Sequence, residues 1–282
     1  MSRLRPPPWP ARLLVHAIVW TVALSMLAPF AWTVVTSLKT DAEATRAPTW
    51  STLLPSVPQW DNYLRALREA ELGQSYGNSL LVAVVTTLLA VAHNALAGFA
   101  FAKLRFRGQR LLFGLVLATM MLPFTVTFLF AYLLCQRLGY VDHLQALVVP
   151  FLASGFGIFH MRQVIRSVPD SLIEAARIDG MGNLDIFWTI VRPAAWPGIA
   201  ALAIFSFVNS WNSFFWPLVV VDSPRLKTLP LAIADLAAGQ YVQSWPVQTA
   251  AATIVVAPLV LLFFLFQRAF VRGITFTGMR EG

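Results

Sequence analysis

SLLVAVVTTLLAVAHNALAGFAFA, from Ser79 to Ala102, decides the fold, because it contains no Asp, Glu, Lys or Arg and is long enough to cross a membrane as one helix. The hydrocarbon layer is about 30 Å thick and a helix rises about 1.5 Å per residue, so a span needs about 20 mostly apolar residues. Lipid offers the backbone no partners, so a run of this length must pair its own N–H and C=O groups as a helix. Five further stretches pass the same test: Leu13 to Val35, Leu111 to Gln136, Leu144 to Met161, Pro193 to Val221 and Val247 to Gln267. None carries a charged residue. The fourth is the shortest, and Pro150, Gly155 and Gly157 interrupt its regularity. The short alternating strands of a membrane barrel are absent. The sequence predicts an all-α integral membrane protein, a single domain over residues 1–282 with six transmembrane helices.

Composition agrees. The chain is 57% apolar and 12% charged, about half the charged share of a soluble domain. Its net charge of +8 comes without a basic stripe interleaved with aromatics, which argues against nucleic acid. The basic residues sit between the apolar runs instead. With the amino end inside, the cytoplasmic segments hold Arg3, Arg5 and Arg12, then Lys103, Arg105, Arg107 and Arg110, then Arg162, Arg166, Arg177 and Arg192, and finally Arg268, Arg272 and Arg280. These are the greater part of the 21 basic residues, so the positive-inside rule predicts a multi-pass protein of the plasma or inner membrane with both termini in the cytoplasm. Leu13 to Val35 exceeds the roughly 7–15 residues of a signal-peptide core and is read as a retained first span. Trp32, Trp50, Trp60, Trp216 and Trp245 fall near the proposed outer ends. On the outer side, Asp61 to Glu71 reads as a surface helix, with Tyr63, Leu64, Leu67 and Ala70 near one face. Cys135, the single cysteine, has no internal partner and reads as a small buried apolar residue.

The connection between spans four and five, residues 167–193, differs from the others. Pro169 suits a first helical turn, and Ser171 with Glu174 has capping-box spacing, which predicts a short helix to about Asp179. Gly180 and Gly182 supply left-handed positions to end it. Asn183 then caps a second helix, Leu184 to Arg192, with Leu184, Phe187, Trp188 and Val191 on one face. From these residues alone, a solvated hairpin that merely joins two spans and a docking knob are equally good readings.

Glu174-Ala175-Ala176, Gly180 three residues after Arg177, Asp179-Gly180, and Ile190 followed by Pro193 resemble the EAA loop of the membrane subunits of ABC importers. Further matches run along the chain. They are Asn78-Ser79-Leu80, Lys103-Leu104-Arg105-Phe106, Met121-Leu122-Pro123, Ser210-Trp211-Asn212 with Trp216-Pro217-Leu218, Gln267-Arg268 and Val271-Arg272-Gly273. Together they resemble the carbohydrate-uptake, maltose-transporter-like permeases. Arg192 stands where the loop motif usually has Leu, and Ser213 where Asp often follows Trp-Asn. The resemblance implies a non-catalytic translocation subunit for a sugar, sugar alcohol or glycerol phosphate derivative. It implies pairing with a second permease subunit as a heterodimer, an extracytoplasmic solute-binding protein, and separate ATPase subunits that hold the ATP and Mg. Glu174, Ala175, Ala176, Asp179 and Gly180 are the implied ATPase-coupling residues. The chain itself is expected to bind no cofactor. None of Lys39, Lys103 and Lys227 follows a glycine, as a Walker A loop requires.

Polar residues inside spans are costly and face other helices or a water-filled path. Asn209, Trp211 and Asn212 are the candidate translocation path, with Trp211 and Trp216 able to stack on a sugar ring. His93 and Asn94 read as interhelical hydrogen-bond groups, and no His, Cys, Asp or Glu cluster has metal spacing. The alternative is an ion-coupled secondary transporter, but that class commonly places acidic residues within spans, and here every one lies outside.

Overall fold

The computed structural model describes residues 9–47, 49, 52–69, 72–238 and 244–278. Arg3, Arg5, Trp50, Ala70, Glu71 and Arg280 lie outside them. All regular structure among the described residues is helical. By chain contacts there are two compact units, Met1–Leu72 with Asp235–Val256, and Gly73–Ala234 with Ala257–Gly282.

In the first unit, α1 (Trp9–Ser37) is a complete span in which Thr36 and Ser37 are buried while Leu14, Ile18, Leu24 and Leu27 are exposed, as suits a lipid-facing helix. The chain then folds back on the end of α1. Lys39 is buried, its ammonium donating to the Thr52 carbonyl at 2.7 Å and lying 4.5 Å from the Trp32 ring. A single turn, α2 (Asp41–Ala44), is closed by a capping box between Thr40 and Glu43. Hydrogen bonds from Ser56 and Thr40 hold the Glu43 carboxyl at about 2. In α3 (Asp61–Glu69) the expected face is rotated, with Asn62 and Ala66 buried and Leu64 exposed. The cause is Asn62, whose amide donates to the Ser37 and Lys39 carbonyls, both at 2.9 Å, and so turns its own face inward.

The second unit carries most of the membrane crossings. Its α4 (Leu72–Lys103) spans alone. The third predicted span is not one helix. It is α5 (Gln109–Met121) and α6 (Phe124–Arg137), bent by 107° at Leu122 and Pro123. Proline disfavours the helical region for the residue before it, and Leu122 sits at ψ 122°. The fourth is also divided, into α7 (Leu144–Val148) with a 3-10 turn at Val149–Phe151, and α8 (Gly155–Arg166), bent by 44°. After α9 (Asp170–Ile178), the short helix α10 (Asn183–Ile186) passes through a π-helical turn at Phe187–Val191 into α11 (Arg192–Ala194). An 83° bend at Ala195 leads to α12 (Trp196–Trp211). The predicted fifth span to Val221 therefore stops early, and α13 (Phe215–Val220) restarts after a break. Pro217 explains the restart, since a proline fits the first turn of a helix but breaks its interior. Then follow α14 (Leu229–Ala237) and α15 (Trp245–Gly278), of which residues 235–256 belong to the first unit. Among the described residues three helices are long and apolar enough to cross a membrane, and three bent pairs pass only together, giving six spans when each pair counts once.

Close approach of backbones ties these pieces together. A Cβ added at Gly98 of α4 would lie 2.6 Å from that of Met161 in α8, and one at Gly198 of α12 would lie 2.6 Å from the Val164 methyls. Across the same seam, His160 Nε2 donates to the Gly198 carbonyl at 3.0 Å. Asn94 makes the interhelical bonds expected of it. Its amide donates to the Leu152 carbonyl at 3.3 Å and its Oδ1 accepts from Ser154 N at 3.1 Å, so it pairs backbone groups that the break between α7 and α8 leaves open. His93, the residue before it, is exposed. Trp216 is not an interfacial residue. It is 2% exposed, donates its indole N–H to the Ala146 carbonyl at 2.8 Å, and packs edge-on against Phe128 and Phe151. Cys135 is buried in the same cluster.

Candidate functional site

The loop helix α9 is built to be rigid. Pro169 precedes it in an extended conformation, and Asp170 occupies its first turn. The Ser171–Glu174 capping box does not form, because the helix starts two residues too early to place Ser171 at the cap. Lys103, at the end of α4, replaces it. The Lys103 side chain is 4% exposed, and its ammonium donates to the Val168 carbonyl at 2.6 Å and to Asp170 Oδ1 at 2.5 Å. That hydrogen bond, with the ammonium charge behind it, pulls the Asp170 carboxyl below the usual range.

The other end of α9 is a Schellman turn. Met181 N donates to the Ala176 carbonyl at 3.0 Å and Gly180 N to the Arg177 carbonyl at 3.1 Å, with Gly180 at φ +83°. Gly182 is not left-handed as expected but extended, at φ −72° and ψ 161°. It, and not Asn183, stands at the cap of α10, where its N–H donates to Asp185 Oδ2 at 3.2 Å.

Within α9, Ile173 and Ala176 are buried in one cluster with Phe99, Met161, Ile165, Phe187, Val191 and Leu202. Ala176 thus faces the protein's own core and offers no docking surface. Glu174, Ala175, Asp179 and Gly180 are exposed. Ile178, 87% exposed, and Leu172 add apolar area that sequence reasoning missed. Their signal was present, since a short helix with apolar residues off its buried stripe has a second face to cover. The predicted face of the next helix also divides: Phe187 and Val191 are buried but Leu184 and Trp188 are exposed, because the π-helical turn changes the rotation per residue. Arg192, which departs from the motif, lays its guanidinium over the Trp188 ring at 5.2 Å.

The candidate path residues are not brought together. Trp211 is fully buried, stacked on Phe207 at 5.8 Å and edge-on to Tyr76 at 5.6 Å, so it has no face for a solute. Asn212 is exposed and does not line the cavity that Asn209 reaches. Asn209 lines a cavity of about 300 Å³ together with Thr86, Ser154, Ser206, Ser210 and Ser213. The Thr86 hydroxyl is buried without a hydrogen-bond partner among the described residues. Ser213, the second departure from the motif, thus lines this cavity. Among the described residues no group of three or more His, Cys, Asp or Glu could hold a metal ion.

Residues 94–276 match the family described as the binding-protein-dependent transport system inner membrane component. The chain is 35% identical to the arabinooligosaccharides transport system permease protein of Halalkalibacterium halodurans over 80% of its own length and 81% of that protein's. It is 31% identical to the sulfoquinovosyl glycerol transport system permease protein of Agrobacterium fabrum, over 90% and 89% of the two chains. Among solved structures, a bacterial ABC transporter involved in import of the acidic polysaccharide alginate superposes with a TM-score of 0.83 at 23% identity, covering 94% of this chain and 99% of that one.

Proposed function

This chain belongs to the family of binding-protein-dependent transport system inner membrane components, and on that premise we propose that it forms one half of the translocation path for a sugar or glycoside and takes its power stroke through α9. As the permease subunit of an ABC importer it moves solute across the inner membrane rather than transforming it. Its partners in the proposal are two ATPase subunits that hold ATP and Mg, a second permease subunit, and a solute-binding protein at the outer side. This chain binds no cofactor, and both termini lie in the cytoplasm. The sugar assignment rests on relatives named for arabinooligosaccharides, lactose and sulfoquinovosyl glycerol. The ion-coupled carrier gives way to the family assignment.

The observation that carries the coupling role is the mounting of α9. One face is fixed in the cluster that contains residues of α4, α8 and α12, and the other, with Glu174, Ala175, Ile178 and Asp179, stands clear. A push on the free face is delivered to the spans because Ile173 and Ala176 have no room to slip. In this scheme Gly180 fixes the end geometry, Ala176 anchors, and Glu174, Ala175 and Asp179 meet the ATPase. Asn209 is the one proposed path residue that reaches a cavity, and the hydroxyls around it suit a polyol.

The test is a cysteine at Ala175 in the assembled transporter. It should cross-link to an ATPase subunit, and uptake of a labelled oligosaccharide should stop when ATP is withheld. No cross-link, with uptake that survives ATP depletion and collapses with the ion gradient, overturns the proposal.

A further inference from the structure

Beside α9 lies a cleft of about 1050 Å³, of whose lining the coupling scheme gives only Glu174 to the ATPase. Its lining includes six cations, Lys103, Arg105, Arg110, Arg162, Arg166 and Arg177, against two carboxylates, Asp170 and Glu174. Lys103 is spent on Val168 and Asp170. Arg162 donates to the Phe101 carbonyl at 3.2 Å with its guanidinium 4.0 Å over the Phe113 ring. Arg105 and Arg166 act on the Asp170 carboxyl through their charge, and no hydrogen bond fixes Arg105, Arg110 or Arg166 among the described residues. Like charges gathered in a cleft repel one another, so an anion is the ligand this lining favours.

Three observations say which anion. Arginine forks match phosphate oxygens in pairs. Arg110 stands in the first turn of α5, and the next turns of that helix expose Leu111, Leu112 and Leu115. The basic rim is therefore one or two turns, at about 1.5 Å per residue, from an apolar surface that meets acyl chains. Finally, the cleft joins the end of one span to the starts and ends of others, which is the depth of lipid headgroups. A free phosphate would satisfy the first of these and make no use of the other two.

We propose that this cleft binds the headgroup phosphate of an anionic phospholipid whose chains run along α5. The bound phosphate bridges Arg105 and Arg166 and relieves repulsion beside Asp170 and Glu174, so that lipid charge sets how firmly α9 is held. The binding site requires only that the chain spans the membrane. Its effect on ATPase coupling rests on the role proposed for α9, and the two are read separately.

The assembled transporter is purified in phosphatidylcholine with or without phosphatidylglycerol, and retained lipid is counted by native mass spectrometry. The wild type should keep phosphatidylglycerol through delipidation. Arg105→Gln with Arg166→Gln should hold it roughly 30-fold more weakly, two contacts being removed. Arg107→Gln, an exposed cation outside the cleft, should retain it as the wild type does. Retention that is equal in the wild type and the double variant overturns the proposal, as does an equal loss in Arg107→Gln, which would mean general surface attraction. Displacement of the lipid by inorganic phosphate alone would make the site one for a free anion and refute the lipid. A double variant that keeps the lipid and loses the ATPase subunit would assign the cleft to docking and refute it too. Lower ATPase stimulation together with lost lipid extends the result to coupling. Lost lipid with unchanged stimulation leaves the site intact and removes its regulatory role.

Discussion

Replacing Gly180 with valine isolates one physical variable. At φ +83° an added Cβ meets nothing within 4 Å, so no packing clash accompanies the change and its cost is that of the backbone alone. A left-handed conformation costs an L-residue about 1–2 kcal/mol, with a β-branched side chain at the upper end. The chain escapes that cost only by leaving the left-handed region. It would then give up the bonds from Gly180 N to the Arg177 carbonyl and from Met181 N to the Ala176 carbonyl, each with a net contribution of about 1 kcal/mol. The two routes cost alike, so the closed turn loses about 2 kcal/mol against open forms, roughly a 30-fold shift in population. Asparagine tolerates the left-handed region and should be close to neutral. The assay is reconstituted transporter with its ATPase and binding protein, reading solute taken up per ATP hydrolysed and the ATPase retained on purification. Gly180→Val should insert normally, since residue 180 lies outside the spans, yet lose ATPase or hydrolyse without transport, while Gly180→Asn behaves as the wild type. If the valine variant transports at the normal rate with its ATPase bound, the turn does not transmit force, and α9 returns to being a solvated connection.

Other consequences are smaller and independent. The Asp170 carboxyl is held below its ordinary range by Lys103, so the stability it contributes is present above the unfolded carboxylate pKa of about 4 and is lost as pH falls through the lowered value. Thermal unfolding followed down to about pH 3 should show an acid limb that Asp170→Asn flattens, and superimposable profiles would show that the pair contributes nothing. Asn94→Leu removes the partner of Leu152 and Ser154 and should cost about 1–2 kcal/mol, seen as a lower unfolding temperature in detergent. No change there would mean that water or lipid satisfies the break. Gly198→Leu should be worse, because the Val164 methyls already lie 2.6 Å from where its Cβ would be. A variant of normal stability would mean that α8 and α12 are less closely packed than described. Cysteines at Arg107 and Ala47, both exposed, should be labelled from the cytoplasmic and outer sides respectively, and the reverse pattern would put α9 out of reach of a cytoplasmic ATPase.

The spans were legible because charge exclusion over about 20 residues is a strong constraint in lipid, and the loop because its glycine and proline positions are chemical necessities of a helix end. Pro150, Gly155 and Gly157 marked the break in the fourth span, but those in the third and fifth were not legible, although the prolines were in view. Pro123 stands between two helices and Pro217 in the first turn of a restarted one, while Pro29 and Pro258 lie in helix interiors. Proline removes one backbone donor wherever it stands. Whether the chain bends there depends on whether neighbours accommodate the freed groups. At the α7–α8 break Asn94 supplies that service from another helix, and near Pro217 the indole of Trp216 is anchored on Ala146. Pro29 sits in a helix whose buried residues are confined to Thr36 and Ser37, so no neighbour directs a bend. The same reason explains why the burial of Trp211 and Ala176 was not legible. A tryptophan in a span and an alanine in a docking motif have the same local sequence whether they face a ligand or the core, and the difference is set by Phe207 and Tyr76 in one case and by Ile165 and its neighbours in the other. Site residues whose role follows from backbone geometry, such as Gly180, can be read one at a time. Those whose role follows from which face is buried need the partner helix, and for Glu174 and Ala175 that partner is a second protein, so the decisive measurement is the cross-link at Ala175.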